Sequence, residues 1–98
     1  MLEHDIKQYK DILNEFKTLD SADYTTAYNL SQDALVLADR WNEIMLESVK
    51  YSRDLEVTKS DFTNYCYQKY KVLMKIHDFA RSTWRQGQEN LRSGYYLD

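Results

Sequence analysis

The sequence predicts an all-α fold: an antiparallel three-helix bundle in which a short first helix lies against a long helix 2/helix 3 hairpin. Three observations carry this reading. There is no proline, and the two glycines, Gly87 and Gly94, lie beyond residue 86, so the common helix breakers are missing from most of the chain. Apolar residues recur at steps of three and four rather than two. The 98 residues suit a single helical domain, 1–98, with no internal repeat, low-complexity segment or flexible linker to divide it.

The first helix is predicted over residues 2–19, because Leu2, Ile6, Tyr9, Leu13 and Phe16 fall on one helical stripe. The polar stretch Thr18-Leu19-Asp20-Ser21-Ala22-Asp23 then turns the chain, with Asp20 or Ser21 able to cap a new helix and Asp23 placed in its first turn. The second helix runs from 22 to 56. Its apolar positions, from Tyr24 through Leu30, Leu35 and Trp41 to Val49, span an arc wide enough to be contacted from more than one side. Thr58 and Asp61 have the spacing of a capping box, which predicts a corner at 57–61 and a third helix over 60–92, interrupted or ended by Gly87. The predicted core includes Leu13, Phe16, Leu35, Trp41, Ile76, Phe79 and Trp84.

These helices are unequal, about 17, 35 and 30 residues, or about 25, 50 and 45 Å at 1.5 Å per residue. With antiparallel neighbours, the first helix covers the start of the second and the end of the third, leaving the hairpin end bare. Nine tyrosines and two tryptophans supply side chains that can bury a ring and keep a polar tip wet. The expected partner-binding residues are therefore Tyr51, Tyr65, Tyr67, Tyr70 and Met74, and self-association through this end is expected.

The residue types offer no catalytic or metal-binding grammar. His4, His77 and Cys66 do not fall at zinc-ligand spacings, and Asp20 and Asp23 lack the carboxylate alternation of a calcium loop. Cys66 lies among Phe62, Tyr65 and Tyr67, a setting for a structural thiol rather than an activated one. The chain is read as a non-enzyme with no cofactor. One cysteine excludes an internal disulfide, the longest apolar run is Ala34 to Ala38, far short of a membrane span, and the acidic start is unlike a signal peptide. A cytoplasmic protein is expected.

Charge is uneven along the chain. Residues 1–60 hold 7 Lys/Arg against 12 Asp/Glu, a net of −5, and residues 61–98 hold 6 against 4, a net of +2, which together give the chain's −3. On a helical wheel Arg81, Arg85 and Arg92 fall within about 40° of one another, with Lys71 and Lys75 beside them and Tyr67 and Met74 on the same side. Cations interleaved with rings are the pattern of a single-stranded nucleic-acid site, phosphates on the charges and bases on the rings. These five residues are the alternative, nucleic-acid-binding candidates.

Two families are echoed. Leu30-Ser31-Gln32-Asp33-Ala34-Leu35-Val36-Leu37-Ala38, then Trp41-Asn42-Glu43-Ile44 and Tyr51, resembles the middle of flagellar export chaperones of the filament-cap type, which shield a partner's helix. Leu19-Asp20-Ser21, Arg40-Trp41, Leu55-Glu56 and Tyr70 are similar in order and spacing to phage recombination mediators, oligomeric helical proteins that bind single-stranded DNA. His77 and Arg81, one turn apart, form in reverse order the arginine–histidine pair of helical ribonucleases; the reversed order favours reading His77 as a surface histidine beside Asp78. The resemblances imply different functions and the chain is assigned to none of these families. The sequence favours a non-enzymatic interaction or assembly protein, with a nucleic-acid accessory or a small export-chaperone-like protein as alternatives.

Overall fold

The computed structural model describes residues 2–97, with side chains to Arg92. These residues form four helices and no strand: α1 (Glu3–Lys17), α2 (Tyr24–Leu46), α3 (Ser48–Asp54) and α4 (Lys59–Leu97). The all-helical class agrees with the sequence reading, while the three-helix arrangement is corrected to four. The break in the expected 22–56 helix falls at Glu47 (φ −100°, ψ 27°), whose N–H turns back to the Ile44 carbonyl in a tight three-residue step. Neither glycine nor proline marks it. The offset it creates lets Tyr51 of α3 stack on Phe62 of α4, ring centroids 5.6 Å apart and 24° between planes.

The caps explain the remaining boundaries. Asp23, rather than Asp20 or Ser21, caps α2: its carboxylate accepts from the Thr26 N–H (3.1 Å) and hydroxyl (2.7 Å), which holds it below its ordinary pKa. Asp20 instead accepts from the Ala22 N–H at 2.8 Å and shapes the turn. α3 ends in a Schellman pair, Val57 N–H to Ser52 C=O and Glu56 N–H to Arg53 C=O, with Glu56 in the left-handed region at φ 56°, where glycine is usual. Half of the expected capping box follows, the Asp61 N–H donating to the Thr58 hydroxyl at 3.1 Å.

α2 and α4 make the main contact of a rod 63 × 19 × 14 Å. Between them are buried Leu30, Ala34, Ala38, Trp41 and Ile44 of α2 and Phe62, Cys66, Leu73, Ile76 and Ala80 of α4. Small residues let the two backbones approach. At Gly87 a Cβ would lie 2.3 Å from the Tyr24 ring, so this glycine permits a close crossing inside α4 and does not end the helix. Of the predicted core, Trp41 and Ile76 are buried, and Leu13, Phe16, Leu35 and Trp84 are half-buried. Phe79 is corrected: it is 59% exposed and meets Phe16 edge-on at 5.4 Å on the rod's surface.

Candidate functional site

The position of α1 decides which surfaces remain open. Asp5 of α1, itself buried, accepts from the Arg40 guanidinium at 3.1 Å. Tyr9 lies 4.4 Å from Lys69 Nζ, which also sits 4.2 Å from the Tyr65 ring and 5.8 Å from Trp41. Burial lowers the Lys69 pKa and raises those of Tyr9 and Tyr65, while the rings' electron-rich faces hold the cation in place. With Phe16 on Phe79, these contacts lay α1 antiparallel to α2 against Asp33–Arg40 and along α4 from Tyr65 to Phe79. The helix is thus slipped toward the hairpin end. α1 therefore reaches the hairpin end on one face, where Leu46, Val49, Leu55 and Val57 nevertheless stay exposed, and it does not reach the opposite end, where α2 begins and α4 runs on.

Two of the five expected contact residues are displaced by this arrangement. Tyr51 is 8% exposed, consumed by its stack on Phe62, and offers no surface. Tyr65 is partly exposed but belongs to the α1 clasp. Tyr67, Tyr70 and Met74 lie elsewhere, on the flank of the α2/α4 pair opposite α1, because they sit more than a quarter turn around α4 from Tyr65 and Phe79. There Leu35 and Met45 of α2 face Tyr70 and Met74 of α4, all half-buried. A cleft of about 510 Å³ lined by Met45, Lys59, Ser60, Thr63, Asn64 and Tyr67 opens at the hairpin end of this flank. At its other end Tyr28 and Trp84 pack with centroids 5.2 Å apart.

Of the alternative candidates, Arg81, Arg85 and Arg92 fall along the same flank, Lys71 falls on its outer edge, and Lys75 lies further round α4 toward the α1 side. Lys71, Lys75, Arg81, Arg85 and Arg92 are exposed, and none joins the ion pairs found among the described residues, which are Lys7–Asp11, Asp5–Arg40 and Arg40–Glu43. Lys71 Nζ lies 5.4 Å over the Tyr67 ring. This agrees with the helical wheel, which puts Tyr67 and Met74 on the side of the basic stripe.

His77 was expected on the surface and is buried. Its Nδ1 lies 2.7 Å from the Ser31 carbonyl; since a carbonyl only accepts, Nδ1 carries the proton and the bond ties α4 to α2. The Ser31 hydroxyl in turn donates to the Tyr28 carbonyl at 2.8 Å. No signal short of the wheel position, 60° from the core axis, points to this tie. Burial pushes the Cys66 thiol up to about 11, which keeps it protonated and unreactive at neutral pH. Among the described residues no three His, Cys, Asp or Glu side chains gather as a metal site, and no helix is long and apolar enough to cross a membrane. Compared with known proteins, the chain matches no family model, no curated protein and no solved structure.

Proposed function

We propose that the protein is a non-enzymatic helical interaction or assembly protein whose open α2/α4 flank receives a partner helix. One observation carries the reading: α1 covers one side of the hairpin, and on the other Leu35, Met45, Tyr70 and Met74 stay half-buried with no helix of the described residues over them. A bundle in this state has room for a fourth helix, and an amphipathic segment laid in such a groove is a common recognition mode. The flank from Met45 to Tyr28 is about 25 Å long at 1.5 Å per residue, enough for about four turns. The five cations along α4 favour a partner helix with an acidic edge. The single buried thiol suits the reducing, cytoplasmic setting expected of such a protein.

A tagged chain should retain a helical partner that the Tyr70→Ser, Met74→Ser double variant loses at unchanged helicity. A synthetic amphipathic helix with a glutamate edge should shift the amides of Met45, Tyr70 and Met74, and the same helix with a lysine edge should not. If neither peptide shifts these amides and the bait retains nothing, the reading is overturned.

The unpaired cations beside the Tyr67, Tyr28 and Trp84 rings support a second reading, a single-stranded nucleic-acid accessory protein. With about three to five phosphate contacts, log affinity should fall with log salt at a slope of roughly −2 to −3.5. Titration of labelled single-stranded DNA at low salt, repeated with Arg81→Ala and Arg85→Ala, separates this reading from the first. Affinity that is flat in salt, or unchanged in the variants, would remove it.

A further inference from the structure

Three contacts fix the register of α2 on α4: Tyr28 beside Trp84, the Ser31 carbonyl on His77, and Trp41 beside Lys69. On this register Asp39 is level with Lys71, Leu35 with Met74, Gln32 with Asp78, and Tyr28 with the turn that carries Arg81. Leu46, which ends α2, is level with Thr63 and Tyr67 in the wall of the cleft of about 510 Å³. At 78% it is the most exposed large apolar side chain among the described residues.

The two borders of the open flank differ in charge. α2 borders it with Asp39 and with no cation, because Arg40 turns the other way, to Asp5 and Glu43. α4 borders it with Lys59, Lys71, Arg81, Arg85 and Arg92 against two anions, Asp78 and Glu89. Neither Asp39 nor Lys71 joins an ion pair found among the described residues. Each copy of the chain thus carries both a basic border and, one helix across, an acidic one at the same level.

We propose, resting on the docking role assigned to the open flank, that its occupant is the same flank of a second copy, the two related by a two-fold axis parallel to the rod. That axis lays α2 of each copy over α4 of the other, level and antiparallel, so each of the four helices is antiparallel to its neighbours. Asp39 then meets Lys71, Leu35 meets Met74, Gln32 meets Asp78 and Tyr28 meets Arg81, and at no level of α2 does a charge meet its like. Leu46 of each copy enters the cleft of the other. A two-fold axis across the rod would instead set α4 on α4, with cations facing cations. α2 is 23 residues long, about 35 Å, and two helices side by side are about 20 Å across. The contact therefore covers about 700 Å² on each copy, within the range of a stable dimer.

Sedimentation velocity from about 1 µM to about 1 mM should show the mass rise to two copies and stop there. Asp39→Lys alone and Lys71→Asp alone should each weaken the dimer by about tenfold or more, because the two-fold repeats the like-charge contact. An equimolar mixture of the two should recover the wild-type affinity, since both contacts of the mixed dimer then pair opposite charges. Leu46→Gln should weaken it by about tenfold or more, the value of a buried leucine. All three positions are exposed, and circular dichroism checks that the helices persist. A wild type that stays monomeric throughout, a mass that climbs past two copies, Leu46→Gln pairing like the wild type, or a mixture no tighter than either variant alone overturns the dimer. A monomer whose Met45, Tyr70 and Met74 amides still shift with the glutamate-edged helix overturns the second copy as occupant and spares the docking face. A monomer that this peptide leaves unmoved overturns both.

Discussion

Replacing Gly87 with alanine sets two opposed effects on one residue. Inside a helix, alanine is favoured over glycine by about 1 kcal/mol. The new Cβ, however, would stand 2.3 Å from Tyr24 Cγ and 2.5 Å from both Cδ atoms, where carbon contacts are normally about 3.5–4 Å. The ring must move by more than about 1 Å, an overpacking cost of about 1–3 kcal/mol, and its hydroxyl leaves Asn90 Nδ2, now 3.4 Å away. The net change in the wild type is expected to lie between neutral and about 2 kcal/mol destabilising. In a Tyr24→Ala background the obstruction is gone and Gly87→Ala should stabilise by about 1 kcal/mol. The double-mutant cycle therefore predicts a coupling of about 1–3 kcal/mol. Urea unfolding followed by circular dichroism reads it directly, since 1 kcal/mol moves the midpoint by about 1 M at a slope near 1 kcal/mol/M. Equal effects of Gly87→Ala in the two backgrounds, within about 0.5 kcal/mol, would refute the close crossing.

Glu56 is left-handed without being glycine, so Glu56→Gly should relieve strain and, after the entropy added to the unfolded chain, stabilise by about 0.5 kcal/mol, visible as a higher urea midpoint. Arg40→Ala strips the buried Asp5 of its partner and should cost about 1–2 kcal/mol, most of it recovered in the Asp5→Ala, Arg40→Ala double variant. The Cys66 thiol is protonated in the folded state up to about 11 but ionises near 9 when unfolded. Its contribution is therefore complete below about pH 9 and lost as pH rises toward 11. The stability gap between wild type and Cys66→Ala should narrow across that window, by an amount of the order of 2 kcal/mol, and a gap that is constant with pH would count against the buried thiol.

Much of the helical scaffold was legible because it rests on local rules. The 3.6-residue period placed α1 and the α2/α4 pair, and Thr58 and Asp61 marked the corner before α4. Three features were not legible, each for a physical reason. The break at Glu47 carries no glycine or proline, so no local pattern marks it, and the stack of Tyr51 on Phe62 that it allows joins two different helices. Gly87 read as a helix end because glycine is a frequent terminator, yet its role is set by a ring 63 positions earlier in the chain. His77 looked like a surface residue because polar side chains usually are, while the Ser31 carbonyl that satisfies it lies on another helix. Among the candidate contact residues, the wheel position of Tyr67, Tyr70 and Met74 was informative. The burial of Tyr51 was not, because it depends on the Glu47 offset.

The placement of α1 shows how one connection redirects a functional argument. Helix lengths alone put the end of α1 flush with the start of α2, which would leave the hairpin end bare. Instead Phe16 sits level with Phe79, eight positions or about 12 Å short of Gly87 along α4 at 1.5 Å per residue, and Gly87 is level with the start of α2. The link from Thr18 to Asp23 has six residues and can span up to about 20 Å, so it tolerates that slip without strain. Several contacts draw α1 toward the hairpin end: Leu2 and Ile6 beside Phe62 and Tyr65, the Tyr9–Lys69 clasp, and Asp5 on Arg40. The pole they leave uncovered has polar side chains facing where α1 would have continued, Thr26 and Asn29 on α2 and Thr83, Gln86 and Asn90 on α4, so it needs no third helix. Shortening the 18–23 link by three residues would limit its reach to about 10 Å and force α1 to choose between its clasp and the turn. Lys69 should then lose its aromatic shielding, and its amine should label faster with an acylating reagent at pH 8. Unchanged labelling in the shortened chain would mean that α1 keeps its clasp whatever the length of the link, and that the 18–23 link does not limit its position.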